Sequence, residues 1–272
     1  MNYKVQILNG YKLYFNEITN VFNTRYSMGE KITIDKLTDQ TGLNRRKTRL
    51  LLNFLSDLGL SKKRTLKKTR LGLIINEYDS FLEDEGTIWL LHYLAASNKY
   101  FVIWNRFFNY IYQKKEFELD EILNLFTDLK GEISDYSYNH HIRKEVVSIL
   151  IDAYIKRRFK KLNLISKLDI NDNNFLINSQ SSVPELIFLA ACIKFRNNFF
   201  EGATSLEIKD IYMHNSSPGR MFLLNNKKTD LILENLKRKR RIGIESQANL
   251  NQIRFSNDIN FEEIVREYYE QI

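Results

Sequence analysis

"TIDKLTDQTGLNRRKTRLLLNFLSDLGL", residues Thr33–Leu60, decides how the chain is read. Its first half, Ile34 to Gln40, has the pattern of a short helix. Gly42 stops it, because glycine enters the left-handed conformation that ends helices at little cost. Asn44 is a strong N-cap for a second helix running to about Leu58. Leu50, Leu51, Phe54, Leu55 and Leu58 form one apolar stripe along it. Two helices joined by a short glycine-containing turn have the helix-turn-helix outline. A helix over Tyr11 to Tyr26 precedes them, with Leu13, Phe15, Ile18, Val21 and Phe22 at helical spacing. "LSKKRTLKKTRLG", Leu60 to Gly72, follows and suits a short basic hairpin, which would make the unit a winged helix-turn-helix.

Charge sharpens that reading. Arg45, Arg46, Lys47 and Arg49 crowd the first turns of the second helix, the turns that reach base edges in such motifs. Cations there oppose the helix dipole, so an anionic partner accounts for them. Lys62, Lys63, Arg64, Lys67, Lys68 and Arg70 place more positive charge on the expected wing. Over the whole chain 41 Lys and Arg outnumber 33 Asp and Glu, a net charge of +8. A clustered excess of this kind indicates a polyanion such as double-stranded DNA.

The 272 residues are 43% hydrophobic and 27% charged, a globular balance. Only Pro184 and Pro218 interrupt long apolar periodicities, so the expected fold is mainly α, a helical centre flanked by N- and C-terminal winged helix-turn-helix units with short β-hairpin wings. The expected units are residues 1–80, 81–178 and 179–272. The centre reads as helical in "FVIWNRFFNYIYQ", "LDEILNLFTDL" and "HIRKEVVSILIDAYIKRRFKKL". "DINDNNFLINSQSSVPE", from Asp169, is polar and turn-rich and is the expected linker. Beyond it come a helix from Pro184, a shorter helix in "SLEIKDIYMH", the turn "NSSPGRMFLL", a helix in "NKKTDLILENLKRKRR" and a hairpin in "IGIESQANLNQIRF". In this second unit Arg220, Lys227, Lys228, Lys237, Arg238, Lys239, Arg240 and Arg241 are the candidate DNA contacts, with a solvated helix end as the alternative for the last five.

Several classes are set aside. No apolar run has the length of a membrane span, and the start "MNYKVQILNGYKLYF" lacks a signal peptide's apolar centre, so the expectation is a cytoplasmic protein with no membrane partner. Cys192 is the single cysteine, which excludes an internal disulfide and a thiolate zinc cage, and its apolar neighbours read as core. No glycine-rich phosphate loop of the ATPase type occurs, and no cofactor is expected. The acids Glu83, Asp84 and Glu85 read either as metal ligands near His92 or as the polar start of a buried helix; the second is preferred, because acids complement a helix N-terminus. His140 and His141 are adjacent and would diverge on a helix. Glu207-Ile208-Lys209 has half of a nuclease motif, but its surroundings read as helical. No catalytic or metal residue is assigned.

"LEDEGTIWLLHYLAASN" (Leu82 to Asn98), then "WNRFFN" (Trp104 to Asn109) and "SSPGRMFLL" (Ser216 to Leu224), resembles in this order the bacterial domain-of-unknown-function 4007 family. The resemblance spans about Arg70 to Phe255. It implies a DNA-acting component of a DNA phosphorothioation and phage-defence system, with partner proteins from that system, and a DNA-nicking role has been associated with one branch. The alternatives are a metal-dependent DNA-nicking endonuclease of the same system and a protein–protein adaptor, since winged helices also bind proteins. The family's Gly-His-Glu-Thr-Phe-like N-terminal signature is replaced here by "MNYKVQILNGYKLYF", and any activity that depends on it is not implied.

Overall fold

A computed structural model describes residues 3–29, 32–63, 65–169, 173–178, 182–247, 250–256 and 259–272. It is mainly helical, with two small antiparallel sheets. No helix among the described residues is long and apolar enough to cross a membrane.

The N-terminal helices form where local chemistry places them. Helix α1 spans Phe15–Ser27, α2 Ile34–Thr41 and α3 Arg45–Asp57. Thr33 caps α2 by accepting from the Lys36 N–H, and Asn44 caps α3 by accepting from the Lys47 N–H. Gly42 ends α2 at φ 67°, a conformation that favours glycine. Leu51, Phe54, Leu55 and Leu58 are buried, while Leu50 is only half-buried. The expected wing is reduced to one antiparallel bridge, Ser61 to Lys68, closed by the Lys62 N–H on the Lys67 carbonyl at 2.8 Å. Helix α4, Arg70–Tyr78, follows it.

Helix α5, Glu85–Ala96, is the axis of the molecule. Its sequence is apolar on all sides, and every residue from Gly86 to Ala96 is buried. Asp84 caps it by accepting from the Thr87 N–H at 2.9 Å. The C-terminal helix α13, Phe261–Glu270, closes over its start. Tyr268 Oη accepts from the Gly86 N–H at 3.1 Å and donates to Asp84 Oδ2 at 3.2 Å. A Cβ on Gly86 would lie 2.3 Å from the Tyr268 ring. Gly86→Ala is therefore expected to lift α13 away and to cost about 2–3 kcal/mol, the range for overpacking a core. Urea unfolding measures the loss, and faster proteolysis near the C-terminus locates it.

The centre departs from the all-helical expectation. Helix α6 (Val102–Ile111) leads to β1 (Glu116–Glu118) and α7 (Leu119–Asn124). A long helical run, α8, covers 137–155; it is π-wound over Ser137–Ile142 and Glu145–Ile151 and α-wound over Asp152–Ile155. Strands β2 (Ile165–Lys167) and β3 (Asn174–Ile177) then pair with β1 in the order β1-β3-β2. The segment expected as a linker thus supplies the middle strand of a sheet. Only Phe117 of β1 faces inward, stacked on Phe175 at 5.0 Å, so three-residue strands left no readable alternation.

The last unit repeats this order. It runs through α9 (Glu185–Phe199), β4 (Ser205–Glu207), α10 (Ile208–Met213), the short α11 (Pro218–Met221) and α12 (Asn226–Arg238), then β5 (Gly243–Gln247) and β6 (Leu250–Arg254). Its sheet order, β4-β6-β5, matches the middle sheet: the first strand pairs with the last, and the last with its hairpin partner. "SLE", expected as helix, is a strand because Ser205, Leu206 and Glu207 pair with Arg254, Ile253 and Gln252.

Among the contacts that join the units, those of His92 and of helix α13 stand out. His92, on α5, is fully buried, with Nδ1 2.5 Å from Tyr154 Oη of α8 and Nε2 2.7 Å from the Met221 carbonyl of α11. A carbonyl only accepts, so Nε2 carries the hydrogen and Nδ1 accepts from the tyrosine. Helix α13 also reaches α4, through Arg70–Glu263 at 3.0 Å, Arg266–Glu77 at 3.2 Å and stacked Tyr78 and Tyr269.

Candidate nucleic-acid interface

Charge is distributed unevenly. Residues 1–80 hold 15 Lys and Arg against 7 Asp and Glu, while 81–178 hold 13 against 14 and 179–272 hold 13 against 12. The excess of the whole chain therefore lies in the first unit, and the candidate surface is built there.

On α3, Arg45, Arg46 and Arg49 are exposed. Arg46, Arg49 and the half-buried Asn53, three and four residues apart, share one face of the helix. Arg46 and Arg49 have no carboxylate partner among the described residues, whereas Arg45 donates to Asp35 at 2.6 Å in a pair exposed on both sides. Lys47 points the other way. Its ammonium donates to Glu17 at 2.5 Å and lies over the rings of Tyr11 and Tyr14, so it ties α3 to the segment before α1.

The hairpin divides similarly. Lys62 and Lys67 are exposed and without carboxylate partners among the described residues. Lys63 pairs with Asp57 at 3.1 Å and lies over Tyr100, which fixes the hairpin to the end of α3. Lys68 donates to the Tyr26 carbonyl at 2.8 Å, and Arg70 pairs with Glu263. Arg64 lies outside the described residues. Of the candidate cations in this unit, Arg46, Arg49, Lys62 and Lys67 are exposed and without a carboxylate partner among the described residues.

The C-terminal candidates are placed differently. Arg220 Nη1 donates to the Asn109 carbonyl at 3.1 Å, and its guanidinium lies 5.2 Å from the centre of the Tyr112 ring, joining α11 to the end of α6. Lys239 pairs with Glu185 at 2.8 Å, Arg241 with Glu267, and Arg238 bonds Asn235. Lys228 is half-buried, and burial lowers its pKa. Lys227, Lys237 and Arg240 are exposed. Between them the outer face of α12 carries Asp230, Leu231 and Glu234, with Leu231 60% exposed. That face is mixed in charge and partly apolar, unlike α3.

The acids before α5 take the helix-start role. Asp84 is the cap, Glu83 pairs with Arg158 at 3.1 Å, and Asp79 accepts from the backbone N–H groups of both Glu83 and Asp84. Burial pushes the His92 pKa down to about 4, which keeps the ring neutral. Cys192 is buried, and burial raises its thiol pKa beyond nucleophilic use. Glu207 ends a strand, but Gln252, not an acid, stands opposite it, and its carboxylate pairs with Lys209 at 2.6 Å. No group of three or more His, Cys, Asp or Glu placed to hold a metal ion occurs among the described residues.

Spacing alone missed one feature. Tyr136 and His140, four apart at the start of α8, stack with ring centres 4.5 Å apart. An aromatic four residues before a histidine was the only signal, and the adjacent His140 and His141 had been weighed only as a metal pair and set aside.

The chain is mainly helical, and its excess of cations lies in its first eighty residues. The chain belongs to the family described as Protein of unknown function (DUF4007), whose model matches residues 57–269. No curated protein matches it. Two solved structures share its fold. The magnesium-ion-bound SspB crystal structure superposes with a TM-score of 0.78 at 16% identity, covering 96% of this chain and 86% of that one. A second SspB crystal structure gives 0.72 at 15% identity with the same coverage.

Proposed function

We propose that the chain is a cytoplasmic DNA-binding component of a bacterial DNA phosphorothioation and phage-defence system. In this reading it engages duplex DNA through a winged helix-turn-helix formed by α2, α3 and the Ser61–Lys68 hairpin. The observation that carries the proposal is the set of exposed cations without carboxylate partners among the described residues, Arg46 and Arg49 on α3 and Lys62 and Lys67 on the hairpin, in the one unit that holds the chain's charge excess. A cation without a carboxylate partner keeps its full charge for a phosphate and releases a DNA counterion on binding. Arg46 and Arg49 sit where the second helix of such a motif reaches base edges. Family membership and the SspB-like fold support the assignment to such a system. Its other proteins are the proposed partners, and the mixed, partly apolar outer face of α12 suits contact with one of them better than contact with DNA. Arg45, Lys63, Arg70 and the C-terminal cations are secondary candidates, because most are already paired.

The test is a salt titration of duplex binding. Arg46→Ala with Arg49→Ala is expected to weaken binding by tenfold or more and to reduce the slope of log K against log salt by about two, one phosphate contact per residue. Both residues are exposed, so folding is expected to be unaffected. A slope unchanged in the double variant, or binding that does not depend on salt, overturns the assignment.

A further inference from the structure

In the middle unit α8 holds the place that α3 and α12 hold in theirs, ahead of a hairpin. Its later turns are sealed, with Ile149 to Tyr154 all buried. Its first turns stand clear: Tyr136 is 64% exposed, and Asn139, His140, Arg143 and Lys144 are exposed. The ring stack itself puts Tyr136 and His140 side by side, and Arg143 is exposed three residues further on. The Tyr136 and His140 rings stack at an interplanar angle of 20°, and His140 Nδ1 lies 3.1 Å from the Tyr136 carbonyl, a bond in which the ring nitrogen must donate. The His141 ring packs edge-on against Tyr136 at 5.3 Å and braces this stack, while Tyr136 and His140 stay exposed to solvent. Arg143 and Lys130 have no carboxylate partner among the described residues, and Lys144 lies against Gly10. Of the acids in the preceding segment, Asp128 is paired with Arg106 at 2.6 Å and Glu132 accepts from Tyr3 Oη at 2.7 Å, which leaves Asp135 exposed.

An exposed aromatic step in a segment that also carries exposed cations fits one class of ligand. Bases in a duplex are already stacked on both faces, whereas an unpaired base offers an open one. We propose that the start of α8 is a stacking site for single-stranded nucleic acid, with a base on the Tyr136–His140 step and Arg143 and Lys130 on the flanking phosphates. It is a different surface, with a different chemistry, from the duplex face on α3, and it stands or falls separately.

The experiment measures fluorescence anisotropy of labelled oligothymidylate about 16 nucleotides long, within the site sizes of single-strand binders. It is run in the Arg46→Ala, Arg49→Ala background so that the duplex face contributes little. Tyr136→Ala is expected to weaken binding about tenfold, the usual effect of losing one stacked base, while Tyr136→Trp retains it. Duplex affinity measured in the otherwise wild-type chain is expected to be unchanged by Tyr136→Ala. Oligouridylate of the same length is the second arm: tighter binding of either oligomer assigns the sugar and supports the site. Single-strand affinity within twofold of the parent in Tyr136→Ala overturns the proposal, as does an equal loss of duplex and single-strand binding.

Discussion

Replacing His92 by alanine is expected to cost on the order of 5 kcal/mol, enough to leave the chain at or near the edge of unfolding, since domains carry only about 5–15 kcal/mol. Two losses combine. The ring packs edge-on or tilted against Trp89, Phe108, Tyr154, Phe159 and Phe222, so its removal opens a cavity of aromatic size, worth about 3–5 kcal/mol. It also strands the Tyr154 hydroxyl and the Met221 carbonyl, and a buried polar group without a partner costs about 1–3 kcal/mol. Partial collapse of the site offsets some of this. Urea denaturation of the two proteins reads the difference, and a loss below about 1 kcal/mol would show that the ring fills space without holding the units together. Tyr154→Phe is the partner measurement. It removes only the hydroxyl, and its effect is expected to shrink in the His92→Ala chain because the two share one hydrogen bond.

Glu145 is expected to give the second large effect, this time dependent on pH. The side chain is fully buried on α8. Its Oε1 accepts from Trp104 Nε1 at 3.1 Å and from the Ile7 N–H at 3.2 Å, while Oε2 has no partner. Burial raises its pKa to about 7, against the opposing pull of those two hydrogen bonds and of Lys4. A carboxyl whose folded pKa is raised contributes most below its unfolded value near 4.5, and that contribution is lost as pH rises through about 7. The difference corresponds to roughly 3 kcal/mol. His92 works in the opposite sense: its folded pKa, lowered from 6.5 to about 4, means stability is lost as pH falls through that window. In the native chain the two trends oppose each other between about pH 4.5 and 6.5. Glu145→Gln keeps the acceptor for Trp104 and Ile7 and removes the buried charge, but leaves an amide N–H group where Oε2 has no partner. It is expected to stabilise the protein by about 1–2 kcal/mol at pH 8. Near pH 4.5 the gain should turn into a small loss, because the unpaired amide N–H remains after the charge relief is gone, and the acid sensitivity due to His92 is then exposed. Unfolding free energies of both chains at pH 5 and pH 8 decide it; a gain equal at both values would exclude titration of Glu145 as the cause.

How much of this was legible in the sequence depended on range. The cap at Asn44, the glycine stop at Gly42 and an acidic helix start among Glu83, Asp84 and Glu85 are settled by groups within four residues and were readable before any fold was known. That Asp84 is the cap among those acids came from the structure. The apolar helix around His92 was equally plain, because burial on every side leaves no polar face. The middle sheet was not. Residues Glu116–Glu118 become a strand only because Asn174–Leu176 lie beside them, nearly sixty positions later, and three residues carry no period. The strand in "SLEIKDIYMH" was hidden in the same way by its distant partners in Gln252–Arg254.

The candidate site divides along the same line. Sequence by itself determined the helical character, the family signatures and the concentration of cations on one helix start, since each is a property of near neighbours or of composition. Only the tertiary structure decided which of those cations remain available. Lys47, Lys63, Lys68 and Arg220 are drawn into contacts with Glu17, Asp57, the Tyr26 carbonyl and the Asn109 carbonyl, groups from 6 to 111 positions away. Among the described residues, Arg46, Arg49, Lys62 and Lys67 have no such partner. The reason is physical: a charge is neutralised by what lies within a few ångströms of it, and in a folded chain that neighbourhood is set by packing rather than by order along the sequence.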